Sequence, residues 1–303
     1  MREIQLFFTD SFTERQFRGN QAPIVLDAEL LKEDEKQTIA RELNASETIF
    51  ISQSKIADFK IQFFTPKMEV ELCGHGTIAA YWVLSSIGRI SGSSGMVQIR
   101  QETKVGVLPV DIHFDGKKPD LVMMSQTKPQ FIGEPFSKET IAKVLKMDPQ
   151  DILDDFPIQN VSTGRAKLLI PIRNREKLYG LKPDFNEIKV FCQKIGTNGF
   201  HLFTFDTHEE ISITTARHFA PTAGVNEDPV TGNASGALGC YLVKYCQSKI
   251  NQSNPYCFIM EQGYNLYRDG KVFVEIKKDD EEISSVKAGG KATILFETRI
   301  RIN

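Results

Sequence analysis

GTIAAYWVLSSI (76–87) and ASGALGCYLVKY (234–245) are the stretches that decide how this chain is built. Each is long enough for about three turns of helix, and each is apolar on nearly every face. A helix with no polar face has to be enclosed by protein. The material around both stretches reads as strand. Phe59, Ile61 and Phe63 alternate with Asp58, Lys60 and Gln62, the period of a half-buried strand. Alternation recurs at 104–114, and further strand signals lie at 48–52, 168–172, 201–205, 211–215, 272–276 and 292–296. Amphipathic helices are predicted at 32–43, closing near Asn44, and at 137–146 and 185–194. The expectation is an α+β chain in which two core helices are each wrapped by strands.

The two apolar stretches share their approach as well as their character. Cys73-Gly74-His75-Gly76-Thr77 can be laid on Thr231-Gly232-Asn233-Ala234-Ser235. Glu69 and Glu71 precede the first, Glu227 and Asp228 the second, and Phe64-Thr65-Pro66 is echoed by Phe219-Ala220-Pro221. Such a match predicts one structural unit used twice. Two units facing each other would aim both helix N-termini at one cleft. Free backbone N–H groups and the positive end of the helix dipole would then bind an anion. Gly74, Gly76 and Gly232 would let it approach the backbone. A substrate carboxylate fits better than a phosphate, because the chain has no Gly-x-x-x-x-Gly-Lys loop and no lysine beside either turn.

Composition narrows the function classes. The chain has 303 residues, 41% hydrophobic, enough for one large or two mid-sized domains with their own cores. Its 37 basic and 39 acidic residues leave a net charge of −2, without the basic excess of a nucleic-acid binder. The mixed run Lys277-Lys278-Asp279-Asp280-Glu281-Glu282 reads as a solvated turn. The five cysteines (Cys73, Cys192, Cys240, Cys246 and Cys257) include no Cys-x-x-Cys pair, which predicts reduced thiols in a cytoplasmic protein. Arg2, Glu3 and Gln5 interrupt the apolar N-terminus, so no signal peptide is expected. No apolar run approaches the roughly 20 residues of a membrane-spanning helix, so no membrane association is expected either.

Four side chains are candidates for the chemistry. Glu47 lies where a helix gives way to a strand, the kind of junction at which functional groups sit. His75 opens the first core helix, where a neutral imidazole suits the dipole. Asp228 precedes the second, and a helix cap explains it as readily as catalysis does. Cys73 is a candidate nucleophile at a helix start. A Cys73/His75 pair is disfavoured, because residues two apart on a helical turn do not face each other. No ligand spacing suggests a zinc site.

Asn44-Ala45-Ser46-Glu47-Thr48, Leu72-Cys73-Gly74-His75-Gly76-Thr77 and Glu227-Asp228-Pro229-Val230-Thr231-Gly232-Asn233-Ala234 resemble the signature set of the phenazine-biosynthesis (PhzF-like) isomerase family. Gly19-Asn20, Val161-Ser162-Thr163-Gly164 and Glu261-Gln262-Gly263 fit it too, in order along nearly the whole chain. The resemblance implies the diaminopimelate epimerase-like fold: two pseudo-symmetric domains, each a curled, mostly antiparallel, barrel-like sheet around a central buried helix. It implies an N-terminal domain over 1–120, completed by strands at about 285–303, and a C-terminal domain over 121–284. Glu47 then matches the glutamate that removes and redelivers a proton on carbon. His75 and Asp228 match its partners, and Cys73, Gly74, Gly76, Thr231, Gly232 and Asn233 match the region that holds the substrate carboxylate. The implied enzyme needs no metal or organic cofactor, acts on a small amino or hydroxy acid, cyclic ones included, and forms a homodimer. The chain departs from the family at Asn233, where the best-known member has serine, and at Gln21, where relatives often carry proline.

Two other functions compete. A two-thiol epimerase or racemase places a cysteine at both helix starts, whereas Cys73 aligns here with Thr231. A non-catalytic binding protein could keep the fold, but Glu47, His75 and Asp228 are present together.

Overall fold

The computed structural model describes residues 2–251 and 253–302. The chain divides into two compact units, one formed by residues up to Ser125 with those from Gly289 onward, the other by Gln126–Ala288. The first contains β1 (Arg2–Ser11), β2 (Asn20–Val25), α1 (Glu33–Leu43), β3 (Thr48–Ser52), β4 (Phe59–Phe64), β5 (Glu69–Val70), α2 (Gly74–Ser86), β6 (Gly95–Thr103), β7 (Gly106–Asp115) and β8 (Lys118–Gln126). The C-terminal strand Ala292–Ile302 returns to pair with β1. The second contains β9 (Gln130–Phe136), α3 (Lys138–Leu145), β10 (Ile158–Ser162), β11 (Ala166–Pro171), α4 (Arg175–Gly180), α5 (Phe185–Ile195), β12 (Phe200–Thr204), β13 (Thr214–Ala220), β14 (Val225–Asp228), α6 (Gly232–Tyr245), β15 (Tyr256–Gln262), β16 (Gly270–Asp279) and β17 (Glu282–Gly290).

The two units repeat one topology. Through the C-terminal strand, β1, β2, β3, β4, β6 and β7, successive pairings run antiparallel, antiparallel, parallel, antiparallel, parallel, antiparallel. The order β9, β10, β11, β12, β13, β15, β16 gives the same series. The step from β4 to β6 is made by the short strand β5 and helix α2, and the step from β13 to β15 by β14 and α6. The repetition expected from two helix starts is thus a repetition of strand pairing as well. The fold is α+β and of the epimerase-like kind anticipated from the resemblance.

Each apolar helix is enclosed by its own unit. α2 packs on β1, β2, β3 and the C-terminal strand, and every residue from His75 to Tyr81 is buried. α6 packs on β10, β11, β15 and β16, and Ala234 through Val243 are buried. The amphipathic helices cover the other face of the sheets. Ile39 and Ala40 of α1 meet Leu6, Val25 and Phe50, while Ile141, Leu145, Leu178 and Ile188 meet Leu168, Ile170, Leu202 and Phe219. Strands such as β3, β11, β12 and β13 are therefore buried on both faces and need not alternate.

Two strand expectations begin too early. Residues 104–114 begin in a turn, because Thr103 pairs with Gly106 and leaves Lys104 and Val105 at the hairpin tip. Residues 211–215 begin in another, where the Ser212 N–H donates to the Glu209 carbonyl at 3.0 Å, so β13 starts at Thr214. No helix among the described residues is long and apolar enough to cross a membrane.

The inner face of the second sheet carries His201 and His218, paired across β12 and β13 with ring centroids 5.4 Å apart. Both are buried, and neither nitrogen of His201 has a hydrogen-bond partner among the described residues. Burial lowers the pKa of His201 to about 3 and that of His218 well below the ordinary histidine value. Both folded-state values lie beneath the unfolded one, so the unfolded chain binds more protons as pH falls. Stability should be intact above about pH 6.5 and decline below it by up to about 1.4 kcal/mol per pH unit for each histidine, the His201 contribution running out towards about pH 3. Urea denaturation from pH 7 to pH 5 checks this; the slope should shrink in a His201→Gln, His218→Gln double variant.

Candidate active site

In the first unit the site grows from the start of α2. Cys73 is its N-cap, in extended conformation, and its Sγ accepts the Gly76 N–H at 3.4 Å. The Thr77 hydroxyl donates to the Cys73 carbonyl at 2.9 Å, and the Ser11 hydroxyl to the His75 carbonyl at 2.7 Å, tying the first turn to β1. A Cβ at Gly76 would sit 2.6 Å from Cγ1 of Ile49, so this glycine lets α2 lie against β3. That corrects the expectation that Gly76 leaves room for a ligand. A Cβ at Gly74 would meet nothing within 4 Å, so the open side of the turn is there.

The same packing delivers Glu47. α1 ends at Asn44 in a left-handed conformation (φ 49°), with its N–H on the Ala40 carbonyl at 3.1 Å. The chain then turns through Ala45 and Ser46 and enters β3 at Thr48, one residue before Ile49 reaches Gly76. Glu47 is thereby held beside the α2 turn, with Oε2 3.5 Å from Nε2 of His75. The Ser46 hydroxyl lies 3.5 Å from the same nitrogen. Cys73 Sγ lies 3.4 Å from Nδ1 of His75. The two side chains meet after all, because Cys73 is an N-cap outside the helical turn and the spacing rule for a helix surface does not bind it. Side-chain exposures of 10% for His75 and 22% for Glu47 leave both within a ligand's reach.

In the second unit the site grows from the start of α6. Asp228 ends β14, and Thr231 is the N-cap, yet no side chain caps the helix. The Thr231 hydroxyl donates instead to Oδ2 of Asp228. Gln262 fixes the turn from behind, its Nε2 donating to the Asp228 carbonyl at 2.7 Å and its Oε1 accepting the Thr231 N–H at 3.1 Å. Asp228 therefore does not cap α6 itself; its carboxylate takes the Thr231 hydroxyl within the turn. The neighbouring Glu227 is taken up structurally, by two 2.8 Å bonds from Arg217.

Gly232 is held by the end of β8 and Asn233 by the loop after β10. Nε2 of Gln126 donates to the Gly232 carbonyl at 3.1 Å, and the Thr163 hydroxyl to Oε1 of Gln126 at 2.6 Å. Nδ2 of Asn233 donates to the Thr163 carbonyl at 3.4 Å, while its buried Oδ1 has no hydrogen-bond partner among the described residues. An unpaired acceptor here is suited to a ligand's amino or hydroxyl hydrogen. Ser11 and Gln126 carried no sequence signal. Ser46, Thr163 and Gln262 stood inside quoted motifs without a role.

Residues 9–298 match the family described as phenazine biosynthesis-like protein. An uncharacterized isomerase of Clostridium acetobutylicum is 36% identical, with all of both chains covered. The Bacillus anthracis phenazine biosynthesis protein of the PhzF family superposes with a TM-score of 0.90 at 33% identity, again with both chains fully covered. A hydroxyproline epimerase from Agrobacterium vitis shares the fold, with a TM-score of 0.62 at 9% identity over 99% of this chain and 91% of its own. Both shared motifs and whole-chain similarity lead to one conclusion: the chain belongs to the PhzF, or phenazine biosynthesis-like, protein family.

Proposed function

We propose that the protein is an isomerase that moves a proton on a small carboxylated substrate, with Glu47 as the acid–base group. The observation that carries this reading is the Glu47 carboxylate 3.5 Å from the His75 ring, beside the open side of Gly74. Names of relatives support the class, since the Clostridium acetobutylicum protein is described as an isomerase. In the proposed step Glu47 takes a proton from a carbon conjugated with or next to the carboxylate, and the freed electron pair spreads towards the carboxylate oxygens. Return of that proton to a second carbon, or to the opposite face of the first, completes the isomerisation. First-turn N–H groups stabilise the charge that develops on the carboxylate. His75 positions Glu47 and shares the proton, Asp228 orients the substrate through the turn it forms with Thr231, and Asn233 Oδ1 accepts from an amino or hydroxyl group. The five cysteines form no disulfide among the described residues, which suits a cytosolic setting. A screen of amino and hydroxy acids in deuterated water, read by mass, tests the reaction class.

The two-thiol alternative needs a cysteine at each helix start, and the N-cap of α6 is Thr231. If Glu47 is the base, Cys73→Ala should keep the larger part of the exchange rate. A well-folded Cys73→Ala protein without measurable exchange would transfer the mechanism to the thiol.

A further inference from the structure

The start of α2 gathers a thiol, an imidazole and a carboxylate, a donor set that a borderline-soft cation prefers to any of the three alone. We infer that Glu47, Cys73 and His75 form a binding site for a zinc-class divalent cation, and that the cation inhibits the enzyme. The inhibitory half rests on the role proposed for Glu47; the site itself does not. Tetrahedral zinc, with bonds of about 2.3 Å to sulfur and about 2.0–2.2 Å to nitrogen and oxygen, spaces its donors about 3.3–3.6 Å apart. Sγ of Cys73 is 3.7 Å from Nε2 of His75, and Nε2 is 3.5 Å from Oε2 of Glu47. All three donor atoms lie within 4.8 Å of one another, and because Sγ is nearly as close to Nδ1 (3.4 Å) as to Nε2, turning the His75 ring together with the Glu47 side chain aims the three donors at one ion.

The frame around these atoms is already built. The Cys73 sulfur accepts the Gly76 N–H at 3.4 Å, a bond that favours thiolate on a metal. His75 is fixed through its carbonyl by Ser11 at 2.7 Å. Three protein donors leave a fourth position for water, the arrangement of an exchangeable rather than a purely structural zinc. Magnesium and calcium, which take oxygen ligands, are selected against. Sequence spacing hid the cluster because Glu47 arrives from the α1–β3 junction and not from a neighbouring turn. Once bound, the cation occupies the lone pairs that the proton transfer would use.

Zinc titration against a chromophoric chelator, with the whole protein in thiol-free buffer, tests the site. Wild type should bind one equivalent, and Cys73→Ser and His75→Gln should each weaken binding by at least ~10-fold. Cys257→Ser, which removes the exposed thiol, should leave binding unchanged. Cobalt should give a thiolate charge-transfer band that Cys73→Ser abolishes. Absence of bound zinc, equal binding by Cys73→Ser, or loss of binding in Cys257→Ser would overturn the site and leave the Glu47 mechanism standing. Zinc that binds with the expected ligand dependence yet leaves deuterium exchange running would overturn the inhibition, and Glu47 as base with it.

Discussion

Glu47→Gln should give a folded protein that still binds a carboxylate ligand and exchanges its carbon-bound hydrogen at least ~10²-fold more slowly, since a positioned general base contributes ~10²–10⁴-fold. Glutamine keeps the length of the side chain and an oxygen near His75. The residue lies at an element junction with its side chain 22% exposed, so stability should change by no more than about 1 kcal/mol. In the proposed mechanism the carboxylate is held by backbone N–H groups and not by Glu47, so binding should be nearly unaffected. Only the lone pair that accepts the proton is lost. His75→Gln and Asp228→Asn should reduce exchange in the same direction but less, because each acts beside the base. Comparing melting temperature, ligand affinity and exchange rate for each variant separates these effects.

The second large effect concerns the buried helices. Ala80 of α2 and Leu238 of α6 are 0% exposed. An aspartate at either position would bury an uncompensated charge and, at Leu238, also forfeit the packing of a full side chain. Each substitution should cost several kcal/mol, a large share of the 5–15 kcal/mol that typically holds a domain together. The exposed Ser86 ends α2, and Ser86→Asp should change stability by less than about 1 kcal/mol despite its unfavourable place at the dipole's negative end. A melting temperature unchanged in Ala80→Asp or Leu238→Asp would contradict the enclosure of these helices.

Those helices were legible because an all-apolar surface has only one physical solution, enclosure. The strands around them were less so. β1 shows no clean alternation, since part of it is buried on both faces, and its pairing with a strand at the far end of the chain leaves no local trace. Glu47 and His75 could be singled out from their motifs, but their 3.5 Å separation depends on Ile49 seating Gly76 against β3, a packing event between distant segments. The Cys73–His75 contact is not legible in the spacing either, because the helix boundary decides it and falls between the two residues. Gly19 was visible as part of a motif, whereas its need is conformational. It adopts φ +63°, and a Cβ there would lie 2.1 Å from the Ser11 carbonyl oxygen.

The central claim is that Glu47 carries a proton between carbon and solvent or a second carbon. Its most direct test is deuterium incorporation at carbon in a true substrate, followed by mass in deuterated water with wild type and Glu47→Gln side by side. The account predicts incorporation of deuterium by wild type at the carbon that loses or gains the proton, and a rate at least ~10²-fold lower for the variant. Exchange by Glu47→Gln at the wild-type rate would contradict it.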